Sequence, residues 1–147
     1  MKSVDVITEI TIAAPLDKVA KFASDPDNAT QWYDNIKSVW WKTEKPLTKG
    51  SQVTFTAEFI GRILEYTYQV TEFVPEERLV MQTAEGPFPM KTTYIWKKDS
   101  KGHTHMTLRN TGQVSGFSKL FTPIMARMMK KANTKDLAKL KQILERK

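Results

Sequence analysis

The chain contains no cysteine. Disulfide frameworks, thiol nucleophiles, iron–sulfur clusters and cysteine-ligated zinc are therefore all excluded. Histidine is almost as scarce: His103 and His105 are the only two, fewer than the three or four ligands a stable metal centre takes. No apolar run approaches the ~18 residues needed to span a bilayer as a helix. The opening stretch, MKSVDVITEITIAAP, lacks the continuous apolar segment of a signal peptide, so the expectation is a soluble, cytoplasmic protein. A nucleophile elbow, a phosphate-cradling glycine loop and a dinucleotide fingerprint are also missing.

What is present suits one globular domain over residues 1–147. The 40% hydrophobic and 10% aromatic content can close a core without a staple. The formal charge is +7, and its position matters more than its size. The last thirty residues carry nine bases against two acids, whereas the first 117 hold fourteen of each. A nucleic-acid reader interleaves aromatic residues with its bases. Here the bases Arg127, Lys131, Lys135 and Lys139 form their own i,i+4 row, which reads as the solvated face of a helix. Neither nucleic acid nor integral membrane contact is expected.

Alternation defines the first two-thirds. Val4, Val6, Thr8, Ile10 and Ile12 fall on one face of a strand, with Asp5, Glu9 and Thr11 on the other. Ala-Ala-Pro15 ends it and opens a short helix over about 15–24; Asp25-Pro26 caps a second that runs to about Trp32. From Asn35 to Thr111 six strands follow, separated by turns at 45–50, Gly61-Arg62, Pro75–Arg78, Glu85–Pro87 and Asp99–Gly102. The adjacent Trp40 and Trp41 leave the facing of the second strand open. After Gly116 the period lengthens to three and four, with Phe117, Leu120, Phe121, Ile124, Met125, Met128, Met129, Ala132, Leu137, Leu140 and Leu144 forming one stripe. The spacing predicts a helix from about 116, kinked near 120–123 by Pro123.

One strand, two short helices, six strands and a long helix resembles the helix-grip fold of the START-related (SRPBCC) superfamily, in its bacterial polyketide cyclase/dehydrase-like branch. The residues carrying the likeness are Ile10-Thr-Ile-Ala-Ala-Pro15 with Val19, Asp25-Pro26 followed by Trp32, Gly50 ahead of Val53–Phe59, Val70-Thr-Glu-Phe73-Val-Pro75, Gly86-Pro-Phe88, Tyr94-Ile-Trp96 and Asp136-Leu137-Ala-Lys-Leu140. The resemblance implies an α+β fold, a curved antiparallel sheet of about seven strands wrapped around the C-terminal helix. It also implies a deep apolar cavity between them.

Parity supplies a lining for such a cavity. Phe55, Phe59, Tyr66, Tyr68, Met81, Phe88, Met90, Tyr94, Trp96 and Met106 share the inward face of the strands. Phe117, Phe121, Met125 and Met128 oppose them from the helix. Aromatic and methionine side chains give such a pocket broad, adaptable contact. The same stripe also describes an ordinary filled core, and the pattern alone does not separate the two. Thr92 and the hydroxyls of Tyr66, Tyr68 and Tyr94 are the candidate polar anchors. His103 and His105 fall on outward parity, as do Glu58, Glu65 and Glu72, so no catalytic residue, metal site or cofactor is assigned.

The expected partner is a small hydrophobic or amphipathic molecule, lipid- or polyketide-like, bound by a monomer or weak homodimer. Two alternatives stand beside this reading: a cyclase- or dehydratase-like enzyme, and an interaction module similar to the chaperone-activator branch of the superfamily. An inward Asp, Glu, His or Arg would favour the enzyme. A filled core would favour the interaction module.

Overall fold

The computed structural model describes residues 3–59, 61–86, 89–113 and 121–146. Strand β1 (Ser3–Ile12) is followed by α1 (Leu16–Ser24), a 3-10 turn (Pro26–Asn28) and the single-turn α2 (Ala29–Trp32). Then come β2 (Ile36–Trp41), β3 (Gln52–Phe59), β4 (Arg62–Val74), β5 (Arg78–Glu85), β6 (Met90–Lys98), β7 (Thr104–Gln113) and α3 (Phe121–Leu144). The strands form one antiparallel sheet in the order β1-β7-β6-β5-β4-β3-β2. Register shifts at Ile36/Ser38, Thr67/Tyr68 and Val70/Glu72 mark bulges that bend the strands around α3. The helix-grip architecture expected from the sequence is the observed one.

Local chemistry explains the joints. Asp25 caps the 3-10 turn, its carboxylate accepting from the Asp27 N–H at 3.0 Å. Pro15 stands just ahead of α1 in extended conformation rather than inside its first turn. The Asp27 carboxylate accepts from Trp41 Nε1 at 2.8 Å and from Lys45 Nζ at 2.6 Å, which ties this helical segment to β2. That tie settles the tryptophan pair: Trp41 turns toward the core with Val39, while Trp40 faces solvent. The predicted start of the long helix at 116 lies outside the described residues. Within them α3 begins at Phe121, with Pro123 in the first turn, where a missing N–H costs nothing.

α3 packs along β1, an edge strand, and supplies what that edge lacks. Lys130 Nζ donates to the Ile7 carbonyl, Lys141 Nζ to the Thr11 carbonyl at 3.0 Å, and the Glu145 carboxylate accepts from the Ala13 N–H at 2.7 Å. Lys18 on α1 donates to the Leu144 carbonyl at 3.1 Å, where the helix dipole favours a cation. Part of the positive charge of the C-terminal segment therefore caps backbone carbonyls. Arg127, Lys131, Lys135 and Lys139 remain on the exposed face, as their spacing predicts.

The core is divided. At one end of the sheet Ile12, Trp96, Met106 and Leu108 are buried against Val19, Ala20 and Ala23 of α1 and against Leu137, Leu140 and Leu144 of α3. At the other end the sheet and helix face one another across a space. Among the described residues no helix is long and apolar enough to cross a membrane.

Candidate functional site

That space is a cavity of about 190 Å³. Its apolar walls come from the strands through Phe55, Ala57, Leu64, Tyr66, Tyr68, Leu79, Met81, Met90 and Tyr94, and from α3 through Met125, Met129 and Ala132. Pro26, Ala29, Trp32, Tyr33 and Ile36 close it from the α1–β2 side. Two glycines stand behind the wall. A Cβ on Gly86 would lie 2.7 Å from the Tyr66 ring, and one on Gly112 would collide with the Met90 sulfur. Both absent side chains are the room into which Tyr66 and Met90 settle.

The structure brings together some of the residues expected to line the cavity and separates others. Phe55, Tyr66, Tyr68, Met81, Met90, Tyr94 and Met125 line the cavity. Trp96 and Met106 do not. They are paired across β6 and β7, with the right parity but at the other end of the strands, inside the filled core. Met128 is corrected as well: it is 39% exposed, and its neighbour Met129 takes the inner position. A helix turns about 100° per residue, which carries Met128 off the stripe that Met125, Met129, Asn133 and Asp136 define. Phe88 and Phe117 lie outside the described residues, as do the side chains of Phe59 and Phe121.

Polar groups cluster in the wall. Thr92 Oγ1 donates to Asn110 Oδ1 at 2.7 Å, and Tyr68 is hydrogen-bonded to Thr92. The hydroxyls of Tyr33 and Tyr94 are 2.5 Å apart. One must donate to the other, which leaves one phenolic hydrogen free to point elsewhere. Burial pushes the Tyr68 phenol up to about 12 and raises Tyr33 and Tyr94 strongly, so none of the three ionises near neutrality.

Asp136 is the residue that the sequence reading passed over. It is 2% exposed and lines the cavity from α3. Burial, reinforced by the nearby Asp34 carboxylate, pushes its carboxyl up to about 6; the Asp34 backbone N–H, donating at 3.1 Å, and Lys135 oppose the shift. A carboxyl in that range exchanges protons near neutral pH, which suits an acid–base group. Of the two histidines, His105 is placed as its parity predicts, while His103 lies in the turn just ahead of β7. His105 lies on the outer sheet face, with Nε2 3.1 Å from Glu9. Among the described residues no group of three or more His, Asp or Glu assembles.

A curved antiparallel sheet gripping one long helix, with a half-open, mostly apolar cavity between them, defines a helix-grip protein. Residues 3–145 match the family described as polyketide cyclase / dehydrase and lipid transport, and the chain belongs to that family. No curated protein matches the sequence. Solved structures resemble it at low identity. A START superfamily protein from Mycobacterium smegmatis is 15% identical with a TM-score of 0.82, covering 96% of this chain and 97% of that one. The Zhui aromatase/cyclase from Streptomyces sp. R1128 is 18% identical with a TM-score of 0.79, covering 99% and 95%. A protein from Thermus thermophilus, TTHA0849, is 18% identical with a TM-score of 0.80, covering 94% of each chain. At these identities the likeness is one of fold.

Proposed function

We propose that the protein binds a small hydrophobic or amphipathic molecule in the cavity between the sheet and α3. The observation that carries this reading is the space itself: mostly apolar walls, with a few polar groups set into one side, is the composition of ligand pockets generally. Membership of a family that includes cyclases and lipid carriers supports it. The cavity also favours this reading over the interaction module, which a filled core would favour. The test uses two adjacent methionines. Ligands from a lipid and polyketide panel should raise the melting temperature of the wild type. Met129→Trp, which fills the cavity, should abolish that rise, and Met128→Trp, on the outer face, should keep it. A panel that shifts nothing, or a Met129→Trp protein that still responds, would sink the reading.

A second reading is favoured by Asp136. An inward carboxyl that titrates near 6 is the group a cyclase- or dehydratase-like reaction would use to move a proton, and an aromatase/cyclase is among the structural neighbours. If the protein catalyses such a step, Asp136→Asn should lose turnover of a poly-β-ketone surrogate while still binding it. Equal turnover by the variant would leave the binding role alone.

A further inference from the structure

Two polar side chains in the cavity wall have hydrogen-bonding capacity that no described residue uses. Asn133 is 5% exposed and lines the cavity, and its Nδ2 has no partner among the described residues. Trp32, 1% exposed and also in the wall, has an Nε1 with no partner among the described residues. Buried donors are nearly always paired, because an unpaired one carries its desolvation cost uncompensated. Two other unpaired atoms, Thr8 Oγ1 and Trp96 Nε1, belong to residues outside the lining. Only at Asn133 does the orphan stand three residues, or one helical turn, from a buried carboxyl, that of Asp136 on the same face of α3.

The charge around the pair is equally specific. Asp25 and Asp136 are the charged residues in the described lining, and no Lys, Arg or His joins them. The Asp25 carboxylate already accepts from the Asp27 N–H. No cation in the described wall would compensate the charge of a fatty-acid carboxylate, and ionised Asp136 would repel it.

We infer that the α3 end of the cavity is a subsite for an uncharged hydroxyl group, phenolic or enolic, on an otherwise apolar ligand, with the hydroxyl oxygen accepting from the Asn133 amide and its hydrogen donated to Asp136. This rests on the binding reading above and narrows its ligand class. A hydroxyl is the smallest group that is acceptor and donor at once, so it satisfies both side chains. A hydrocarbon leaves Asn133 unpaired, and a carboxylate meets like charge.

Three probes of one size separate the possibilities: naphthalene, 1-naphthol and 1-naphthoate, titrated into the full chain at pH 7.5 with intrinsic fluorescence as the readout. 1-Naphthol should bind at least about tenfold more tightly than naphthalene, the worth of one hydrogen bond to a buried group. 1-Naphthoate should bind more weakly than naphthalene. Asn133→Leu should bring the naphthol-to-naphthalene ratio within about twofold of one; Asn133→Ala should do the same if leucine lowers the melting temperature. Asp136→Asn should relieve the rejection of naphthoate by about tenfold. If naphthalene binds and Met129→Trp blocks it, but naphthol gains nothing over naphthalene, the subsite is refuted and the cavity reading stands. A ratio that survives both Asn133 variants refutes it equally. Failure of all three probes to bind refutes the subsite, while the cavity reading falls only if the lipid and polyketide panel also shifts nothing.

Discussion

From Leu137 to Leu144, helix α3 buries its leucines against Ile12, Trp96 and Met106; from Met125 to Asp136 the same helix looks across a cavity at Met90, Thr92 and Asn110. The sheet face is continuous between the two regions and the strands are the same. Two things differ. The filled end has α1 laid into it, through Val19, Ala20 and Ala23. The hollow end receives small or polar residues at inward positions, Ala57, Thr92, Asn110, Asn133 and Asp136, where the filled end has Trp, Met and Leu. One helix therefore both closes the core and forms one wall of a pocket. Stability and binding should separate along its length.

The sharpest way to break that comparison is to remove the same kind of bulk from each end. Leu140→Ala, at a fully buried position in the filled end, should cost about 2–5 kcal/mol in chemical denaturation. Met129→Ala, beside existing empty space, should cost about 1 kcal/mol. Similar losses would mean that the cavity is packed as tightly as the core.

A smaller effect comes from pH. The Asp136 carboxyl titrates near 6 in the fold and near 3.8 when unfolded, so between those values the folded protein holds more protons. Stability should therefore be fullest at low pH and fall as pH rises through this window, by about 2–3 kcal/mol in total from this one group. Asp5, Asp27 and Glu145 are shifted the other way by Arg109, Lys45 and Lys141, and the stability they contribute is lost below the ordinary carboxylate range. Subtracting the pH profile of Asp136→Asn isolates the Asp136 contribution, because asparagine keeps an oxygen for the Asp34 N–H. A flat difference between pH 4 and 7 would show that the carboxyl titrates normally. The smallest effect belongs to the outer face. Replacing Lys131 and Lys139 by Gln should change stability by no more than about 0.5 kcal/mol, since neither takes part in an ion pair among the described residues. A larger loss would mean that the face has a structural role.

The sequence made the sheet easy to read, because period-two alternation broken by Gly, Pro and Asp turns needs only local information. It was less informative about the cavity, for three physical reasons. Parity tells which face of a strand a residue occupies but not which end, so Trp96 and Met106 read as pocket while they fill the core. Apolar spacing of three or four fits both Met128 and Met129, and only the angle set by the sheet separates them. Asp136 entered only through the motif Asp136-Leu137-Ala-Lys-Leu140, because its neighbours in the chain do not tell which way its carboxyl faces. A usable signal was present: Asn133 and Asp136 continue the inner stripe from Met125 and Met129 as polar breaks at helical spacing. A polar break in an otherwise apolar stripe marks either solvent or a site.

Gly86 and Gly112 touch nothing inside the cavity, yet the Tyr66 ring and the Met90 sulfur occupy the space that their missing side chains leave. The capacity of the pocket is thus partly set from behind its wall. An alanine at either position would push a lining residue inward and shrink the chamber without altering any group a ligand meets. Selectivity for size can then drift independently of selectivity for chemistry, and two proteins with identical linings can differ in what they hold.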